Sequence, residues 1–437
     1  LKGLESLTQA ADKRPGFSLQ SPKGTHDILP AQARRWRGVE RVVQAVMQRF
    51  GYEEIRTPIF EEAALFIRGV GEHTDVVSKE IYSFGGKGSD HVNFALRPEC
   101  TAGVVRAYVQ HRLYREPVPQ KFWYMGPMFR YERPQAGRQR QFHQLGVECF
   151  ASDNPLSDAE AIVMAMDLLA ELGLTSLTVA LNSVGCPSCR PAYRLQLVRY
   201  LTEQQALLCA TCLTRKDTNP LRVLDCKAPG CQPIVACAPA LHDFWCVGCR
   251  AHLEAVMDYL DSVAVAYRLE PRLVRGLDYY TGPVFEIASD ALGAQNTLVG
   301  GGRYDQLVEQ LGGPPTPAFG WGLGMERLLL ALDGAEAGGA SLFGAVLVNP
   351  GESERRGFQL VSWLRRAGRD AEVVTGKKWD KLFKHADRLG ARFAFMLGEN
   401  EVERSRLGIK NLSNREQSEL PFSHEAVMAW LGAIADA

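Results

Sequence analysis

The run Phe129-Arg130-Tyr131-Glu132, the eight residues Arg133 to Arg140 and then Gln141-Phe142-His143-Gln144 decide how this chain folds. Lys121 to Met128 and Gln144 to Phe150 read as strands, with β-branched, aromatic or small apolar residues between turn signals. A strand thus ends in an arginine and an acid, a loop follows, and a second strand returns. An arginine held on a strand end presents a rigid planar fork suited to phosphate oxygens. Arg133, Arg138 and Arg140, with Gln135 and Gln139 between them, suit contacts with a nucleic-acid backbone and base edges. A solvated hairpin tip has the same composition, so the run alone leaves both readings open.

Upstream, Arg34 to Phe50 puts Val39, Val42, Val43, Val46 and Met47 at helical spacing and stops at Gly51, which predicts an amphipathic helix. Tyr52 to Phe60 reads as extended and Phe94 to Leu96 as a strand. Downstream, Pro155 to Leu172 predicts a helix, Pro271 to Ala288 a strand and Gly300 to Leu311 a turn entering a helix. Ala318 to Leu332 predicts a strand, a glycine turn and a second helix. Its alternating glycines allow close approach to a ligand, but the spacing is not GxGxxG and Pro314, Pro315 and Pro317 stand where a buried strand is needed. A dinucleotide fingerprint is therefore weak. Beyond a Gly/Ala/Ser linker, strands and helices alternate from Phe343 to Leu397, predicting an α/β module with a largely parallel sheet.

Composition bounds the function. At roughly 150 residues per domain, 437 residues suggest two or three domains. With 46% hydrophobic and 23% charged residues the chain is globular. No apolar run of about 18 residues exists, so no membrane span is expected, and residues 1–20 read as a flexible leader, not a secretory signal. Zero net charge excludes a uniformly basic nucleic-acid binder but not a local patch. From Arg355 to Arg392, eleven Lys and Arg stand against four Asp and Glu.

Three segments in order resemble the motifs of the class II aminoacyl-tRNA synthetases: Gly51 to Pro58, Phe129 to Glu132, and Gly320 to Arg327. Leu273-Val-Arg-Gly-Leu-Asp-Tyr-Tyr280 and Gly300-Gly-Gly-Arg-Tyr-Asp305 resemble the two signatures of the histidyl-tRNA synthetases. Pro22 to Asp27, Leu96 to Thr101 and Arg140 to Gly146 match the same family, with Cys100 where it more usually has glycine. The resemblance implies an α+β catalytic domain built on an antiparallel sheet with flanking helices, a helical Cys-rich insertion, and a C-terminal α/β anticodon-binding domain. The expected boundaries are 21–176 and 268–333 for the catalytic domain, 177–267 for the insertion, 334–342 for the linker and 343–437 for the anticodon domain. A cytoplasmic homodimer, paired around the first motif, is implied as well.

The same resemblance implies roles. Glu99, Thr101 and Gln144 hold the α-amino group of L-histidine. Glu148 and Tyr280, with Tyr279 nearby, meet the imidazole nitrogens, one donor and one acceptor when neutral. Arg130 binds the α-phosphate of ATP, Glu132 the adenine amino group, Phe142 stacks on adenine, and Arg327 meets the terminal phosphates. Arg275 serves both histidine and the α-phosphate, and Mg²⁺ accompanies ATP. Arg133, Gln135, Arg138 and Arg140, and Lys377, Lys378, Lys381 and Lys384 in the basic stretch, are the candidates for contact with tRNA(His). From the residues alone, an ion pair with Asp278 competes for Arg275, a helix N-terminus competes for Glu99, and Tyr279, Phe142 and Tyr304 also suit a core. His26, His143 and His242 read as hydrogen-bonded structural groups. A non-catalytic regulatory subunit of ATP phosphoribosyltransferase is the alternative, opposed by the presence of Arg130, Arg275, Arg327 and a C-terminal module.

Nine of eleven cysteines lie between Cys186 and Cys249. Cys186/Cys189, Cys209/Cys212 and Cys246/Cys249 are CxxC pairs, each able to supply two thiolates to a tetrahedral structural Zn²⁺. Cys226 and Cys231 form a wider pair and Cys237 is extra. No βαβ pattern surrounds them, which argues against thioredoxin-like redox chemistry.

Overall fold

The helix Pro30–Arg49 begins on a proline at its first turn and buries Trp36, Val39, Val43, Val46 and Met47 along one stripe. It ends before Gly51, whose φ of 72° turns the chain so that Tyr52 enters the same core. These elements belong to a computed structural model that describes residues 19–71, 74, 76–85, 92–292, 296–332 and 342–435. The expected leader lies outside that set except for its last two residues, and the linker except for residue 342. The chain divides into two units, Leu1–Ala337 and Gly338–Ala437. Among the described residues no helix is long and apolar enough to cross a membrane.

The strands of the first unit are β1 (Glu53–Glu54), β2 (Phe60–Glu62), β3 (Tyr82–Gly85), β4 (Asn93–Leu96), β5 (Gln120–Phe129), β6 (Gln141–Phe150), β7 (Leu177–Ser183), β8 (Tyr267–Leu269), β9 (Pro283–Ser289), β10 (Thr297–Arg303) and β11 (Ala318–Gly324). Eight of them form one sheet in the order β1-β5-β6-β11-β10-β9-β7-β8, antiparallel except for the pairs β1/β5 and β7/β8 at its two edges. β2, β4 and β3 make a small second sheet. The quoted hairpin is β5 and β6, and its tip is pinned by a Gln135–Arg138 bridge.

The two faces of the large sheet differ. Leu145 and Val147 of β6 and Phe319, Trp321 and Leu323 of β11 face a core shared with the helices Pro30–Arg49 and Pro155–Glu171. Alternation along a strand then sends Gln144, Gly146 and Glu148, and Gly320 and Gly322, to the opposite face, where the cleft lies.

Several expectations are corrected. Gly300 to Gly302 are strand, not turn, and Gly320 and Gly322 sit inside β11: Gly300, Gly320 and Gly322 make room for a neighbour's side chain, and Gly301 and Gly302 for the close approach of the adjacent strands. The strand expected over Pro271 to Ala288 begins only at Pro283, since residues 273–280 loop over the cleft. Residues 177–183, expected to open the insertion, are β7 of the central sheet, so the thiol-rich excursion starts at Val184. It then carries the helices Arg190–Glu203, Ala210–Thr218 and Val247–Ser262.

The second unit is a five-stranded sheet flanked by the helices Glu352–Arg366, Trp379–Arg388 and His424–Ala435. Gly344–Val348 pairs in parallel with Ala371–Thr375 and Phe393–Leu397, as alternation predicts. Two antiparallel strands, Arg406–Asn411 and Gln417–Pro421, complete it and make the sheet half antiparallel, not largely parallel.

One buried charge cluster ties the first unit together. Arg303, at the end of β10, donates from Nε to Asp158 Oδ2 at 3.1 Å and from Nη2 to Asp158 Oδ1, and His252 Nε2 lies 2.7 Å from the same carboxylate. Asp158 is fully buried. Sheet, helix Pro155–Glu171 and helix Val247–Ser262 therefore meet on one anion. Removing one partner of a buried pair strands the other. Asp158→Ala is expected to lower the stability of the first unit by roughly 3–5 kcal/mol, read from the midpoint of its urea transition. A shift within the error of the wild-type midpoint would show the cluster to be neutral.

Candidate active site

The cleft on the glycine-bearing face has two connected parts. The deeper one, about 490 Å³, is lined by Glu99, Thr101, Gln144, Glu148, Tyr279, Tyr280 and Tyr304 together with Arg130 and Arg275. The outer one, about 910 Å³, shares Arg130, Glu132, Phe142 and Arg275 and extends to Thr297, Glu326 and Arg327. Every residue singled out for histidine or ATP thus lines one of the two.

The glycines create this space. A Cβ on Gly320 would collide with the Glu148 carboxylate, on Gly322 with the Gln144 amide, on Gly300 with the Arg275 guanidinium, and on Gly146 with the Tyr124 ring. Glu148, Gln144 and Tyr124 each lie over a glycine of the adjacent strand, and Arg275 reaches over Gly300 from the loop 273–280.

Glu148 sits at the bottom, 1% exposed. It accepts from Thr101 Oγ1 at 2.7 Å, from Tyr124 at 3.2 Å and from the Tyr304 hydroxyl. Burial pushes its carboxyl up to about 8; nearby Glu99 adds to the rise and the three hydroxyls oppose it. Glu99 accepts the backbone N–H of Thr101 at 2.7 Å and of Ala102 at 3.0 Å, so it does occupy the N-terminus of the helix Thr101–Gln110 while lining the cleft. Burial raises its pKa too, against those hydrogen bonds and Arg130. Gln144 Oε1 is buried with no partner. An unmade acceptor there is costly and points to a donor supplied by a ligand.

The cations lie toward the outer part. Arg275 pairs with Glu286, not with Asp278, which instead accepts from Asn219. Its Nε is buried and has no hydrogen-bond partner. Arg130 is oriented by a 2.8 Å bond from Nε to Pro98 O and stands 5.2 Å over the Phe142 ring. Arg327 donates to Thr297 O at 2.8 Å. Glu132 is paired with Arg138 at 3.4 Å. The guanidinium groups of Arg130, Arg138, Arg275 and Arg327 thus border one cavity, an arrangement for a polyanion.

The hairpin tip divides. Arg133, Gln135 and Arg138 are exposed. Arg140 is committed to structure: its guanidinium lies 3.9 Å from the Tyr131 ring centre and its backbone N–H donates to Gly24 O. Tyr279 and Tyr304 are both buried, as core aromatics are, but they also line the cleft. His143 is held by Glu326 at 2.8 Å, the structural role read from sequence.

Residues the sequence did not signal also stand here. Tyr124 and Glu286 came without a motif. Arg222 and Asp225 reach the cleft from the insertion, and only their place between cysteines marked that stretch at all. The thiols form two sets, Cys186/Cys189/Cys246/Cys249 and Cys209/Cys212/Cys226/Cys231. The wider pair, left out of the expected ligands, therefore completes the second set.

Comparison with known proteins agrees with this geometry. A family profile described as histidyl-tRNA synthetase matches residues 24–328, and one described as anticodon binding domain matches 345–428. The histidine–tRNA ligase of Anaeromyxobacter dehalogenans is 49% identical over 413 residues, 94% of this chain and 99% of that protein. That of Desulfitobacterium hafniense is 45% identical over 418 residues, 95% and 98% of the two chains. The apo Staphylococcus aureus histidyl-tRNA synthetase structure is similar with a TM-score of 0.78 at 36% identity, covering 94% of this chain and 99% of that one. A Bacillus halodurans structure, described as an ATP phosphoribosyltransferase regulatory subunit/histidyl-tRNA synthetase, has a TM-score of 0.64 at 20% identity over 88% of this chain, and so shares the fold.

The raised Glu148 pKa has a consequence for stability. Between the ordinary value of 4.5 and about 8 the folded chain holds a proton that the unfolded chain has lost. Stability from this group is therefore full below about 4.5 and declines as pH rises toward 8. Glu148→Gln should flatten that part of the stability profile, measured by urea unfolding of ligand-free protein at pH 6 and pH 8. An unchanged slope would mean that Glu148 is ionised throughout.

Proposed function

The chain belongs to the histidyl-tRNA synthetase family, and on that premise we propose that its cleft activates L-histidine with ATP and passes it to tRNA(His). One observation carries the residue assignment: a buried acid-and-amide end, Glu99, Gln144 and Glu148, adjoins an arginine-lined end, Arg130, Arg275 and Arg327. In this reading Gln144 Oε1 and Glu99 receive the α-ammonium, with Thr101 beside them, and Glu148 and Tyr280 read the imidazole, with Tyr279 backing them. A site that hydrogen-bonds a side chain rejects analogues lacking it by as much as roughly 10⁴–10⁵-fold.

Adenine stacks on Phe142 with its amino group at Glu132, and Arg327 receives the terminal phosphates. The histidine carboxylate attacks the α-phosphorus, the bond to the bridging oxygen breaks, and pyrophosphate leaves. Arg130 and Arg275 flank that phosphorus and neutralise charge that shifts among its oxygens, as preorganised cations do. The carboxylates in the outer cavity are already engaged: Glu132 by Arg138, Glu286 by Arg275, Glu326 by His143 and Asp225 by Arg222 and Lys227. Mg²⁺ therefore enters with ATP as part of the substrate. A terminal ribose hydroxyl of the tRNA then attacks the carbonyl carbon, and AMP departs.

Two surfaces extend the reading. Ile59, Phe60, Ile67 and Phe84 are exposed on the small sheet and its helix, close in sequence to the first motif, which supports a homodimer interface there. In the second unit Lys377, Lys378, Lys381 and Lys384 are exposed, and the first three line a groove of about 330 Å³. We assign this unit to the anticodon region and the hairpin residues Arg133, Gln135 and Arg138 to the acceptor end. Reduced thiols in the insertion fit a cytoplasmic location.

Arg275→Ala should reduce histidine-dependent ATP–pyrophosphate exchange by about 10²–10³-fold, the typical cost of one transition-state charge contact, with the urea midpoint near that of wild type. Near-normal exchange would make Arg275 merely the ion-pair partner of Glu286, and no exchange in the wild type with any of the twenty amino acids would favour the regulatory-subunit alternative. Replacing the four lysines by glutamine should leave exchange unchanged and lower the salt dependence of tRNA binding by about 3 in log–log slope, at ~0.7 per phosphate contact on a single strand. An unaltered slope would move the anticodon contact elsewhere.

A further inference from the structure

The two thiol sets are built like mononuclear metal sites. In the first, Cys186 Sγ lies 3.6 Å from Cys189 Sγ and 3.8 Å from Cys246 Sγ, and Cys189 Sγ lies 3.7 Å from Cys249 Sγ. In the second, Cys209 Sγ lies 3.9 Å from Cys226 Sγ. All sulfurs of each set fall within 4.8 Å of one another. A disulfide needs about 2.05 Å. A tetrahedron with Zn–S bonds of about 2.3 Å has edges of roughly 3.8 Å, and the observed separations fall on that edge. A polynuclear iron–sulfur cluster interposes its own irons and sulfides between the ligands and needs them farther apart.

Backbone donors complete each set. Cys186 N–H donates to Cys189 Sγ at 3.2 Å and Cys249 N–H to Cys246 Sγ at 3.5 Å. Cys209 N–H donates to Cys231 Sγ at 3.3 Å. Such bonds stabilise thiolate charge and orient the ligands. Cys186/Cys189 leads into the helix Arg190–Glu203, and Cys246/Cys249 opens the helix Val247–Ser262. Cys237, by contrast, is exposed and belongs to neither set.

We propose that the insertion binds two divalent metal ions of the zinc class, one in each four-cysteine set, and that they brace it against the cleft. The first site closes the base of the insertion, joining its exit from β7 to its return through helix Val247–Ser262. Next to it, Arg190 donates to Val184 O at 3.2 Å, to Gly185 O at 3.2 Å and to Tyr280 O. The second site fastens the segment between Cys212 and Cys226. That segment carries Arg222 and Asp225 into the cleft, and Asn219 Nδ2 donates to Asp278 Oδ1 at 2.5 Å. Arg190, next to the first site, and Asn219, in the segment fastened by the second, thus both bond to the loop 273–280. Binding displaces thiol protons and is coupled to folding of the insertion. The metal assignment stands on the thiol geometry alone; the bracing rests on the proposed reading of Tyr280.

The test begins with metal content of the full chain purified without chelator, by inductively coupled plasma mass spectrometry. Two ions per chain are expected, one in Cys186→Ser, one in Cys209→Ser and two in Cys237→Ser. Where a variant does not fold, wild-type protein decides: two equivalents of Co²⁺ added to reduced, metal-stripped protein should give thiolate-to-cobalt charge-transfer and tetrahedral d–d bands that Zn²⁺ abolishes. No metal as purified together with no Co²⁺ spectrum overturns the proposal, and a single equivalent overturns the two-site assignment. Bracing is read by releasing metal with p-hydroxymercuribenzoate, restoring the thiols with reductant and assaying exchange with Mg²⁺. The histidine KM should rise at least ten-fold while the ATP KM moves little; equal or absent change overturns the bracing. Metal stoichiometry does not depend on activity, so a failed exchange assay leaves that count able to decide the sites.

Discussion

On the cleft face of the central sheet, a strand carrying a functional side chain lies beside a strand that has none at that level. Glu148 lies over Gly320, Gln144 over Gly322, Arg275 over Gly300 and Tyr124 over Gly146. A single methyl at any of these positions meets the very group that gives the cleft its chemistry. The sheet tolerates these side-chain-free positions, which cost burial and entropy, because its other face carries a continuous core and the cleft face carries a second one beside the glycines, with Tyr124, Phe150 and Ala318 in it. Phe319, Trp321 and Leu323 alternate with the glycines of β11 and pack on Leu145, Val147 and the helices behind. Burial on both faces thus supports emptiness at the glycines.

Charge follows the same division. At the deep end burial raises the pKa of both Glu99 and Glu148 against the hydrogen bonds they already accept, so a cation arriving there would favour their ionised forms. At the outer end Arg130, Arg275 and Arg327 are oriented by carbonyls and a carboxylate but face open volume. In the proposed reading the ammonium of an amino acid lies at the deep end and the phosphates of a nucleotide at the outer end. The insertion matters because it contributes to that cleft: Arg222 and Asp225 line it, and the backbone of Tyr280 is held from behind by Arg190.

Much of this was legible before any coordinates. The hairpin of β5 and β6, the helix ending at Gly51, the helix after Asn154 and the strand–helix alternation of the C-terminal unit follow from periodicity and stop signals, which are local. Where reading failed, the cause was non-local. Gly300 to Gly302 look like a turn because glycine usually marks one; they are strand because Arg275 occupies the space over Gly300 and the adjacent strands approach Gly301 and Gly302 closely. Asp278 looked like the partner of Arg275 by proximity in sequence, but the sheet register brings Glu286 to it instead. The first four-thiol set joins cysteines 60 residues apart and the second joins Cys209 to Cys226 and Cys231, 17 and 22 residues on, so spacing within a CxxC does not say which second pair completes it.

The sequence by itself, through motifs that resemble a known family, determined the family, and it named many of the polar groups that line the cleft while giving no signal for Arg222, Asp225 or Glu286. Tertiary structure alone decided what surrounds them. It chose Glu286 for Arg275, gave Glu148 three hydroxyl neighbours, left Gln144 Oε1 without one, removed Arg140 from the solvent-facing set and sorted eight thiols into two sets. These outcomes are set by strand register, by the path of the loops and by which face a side chain takes, and none of those is encoded in the local pattern of one strand.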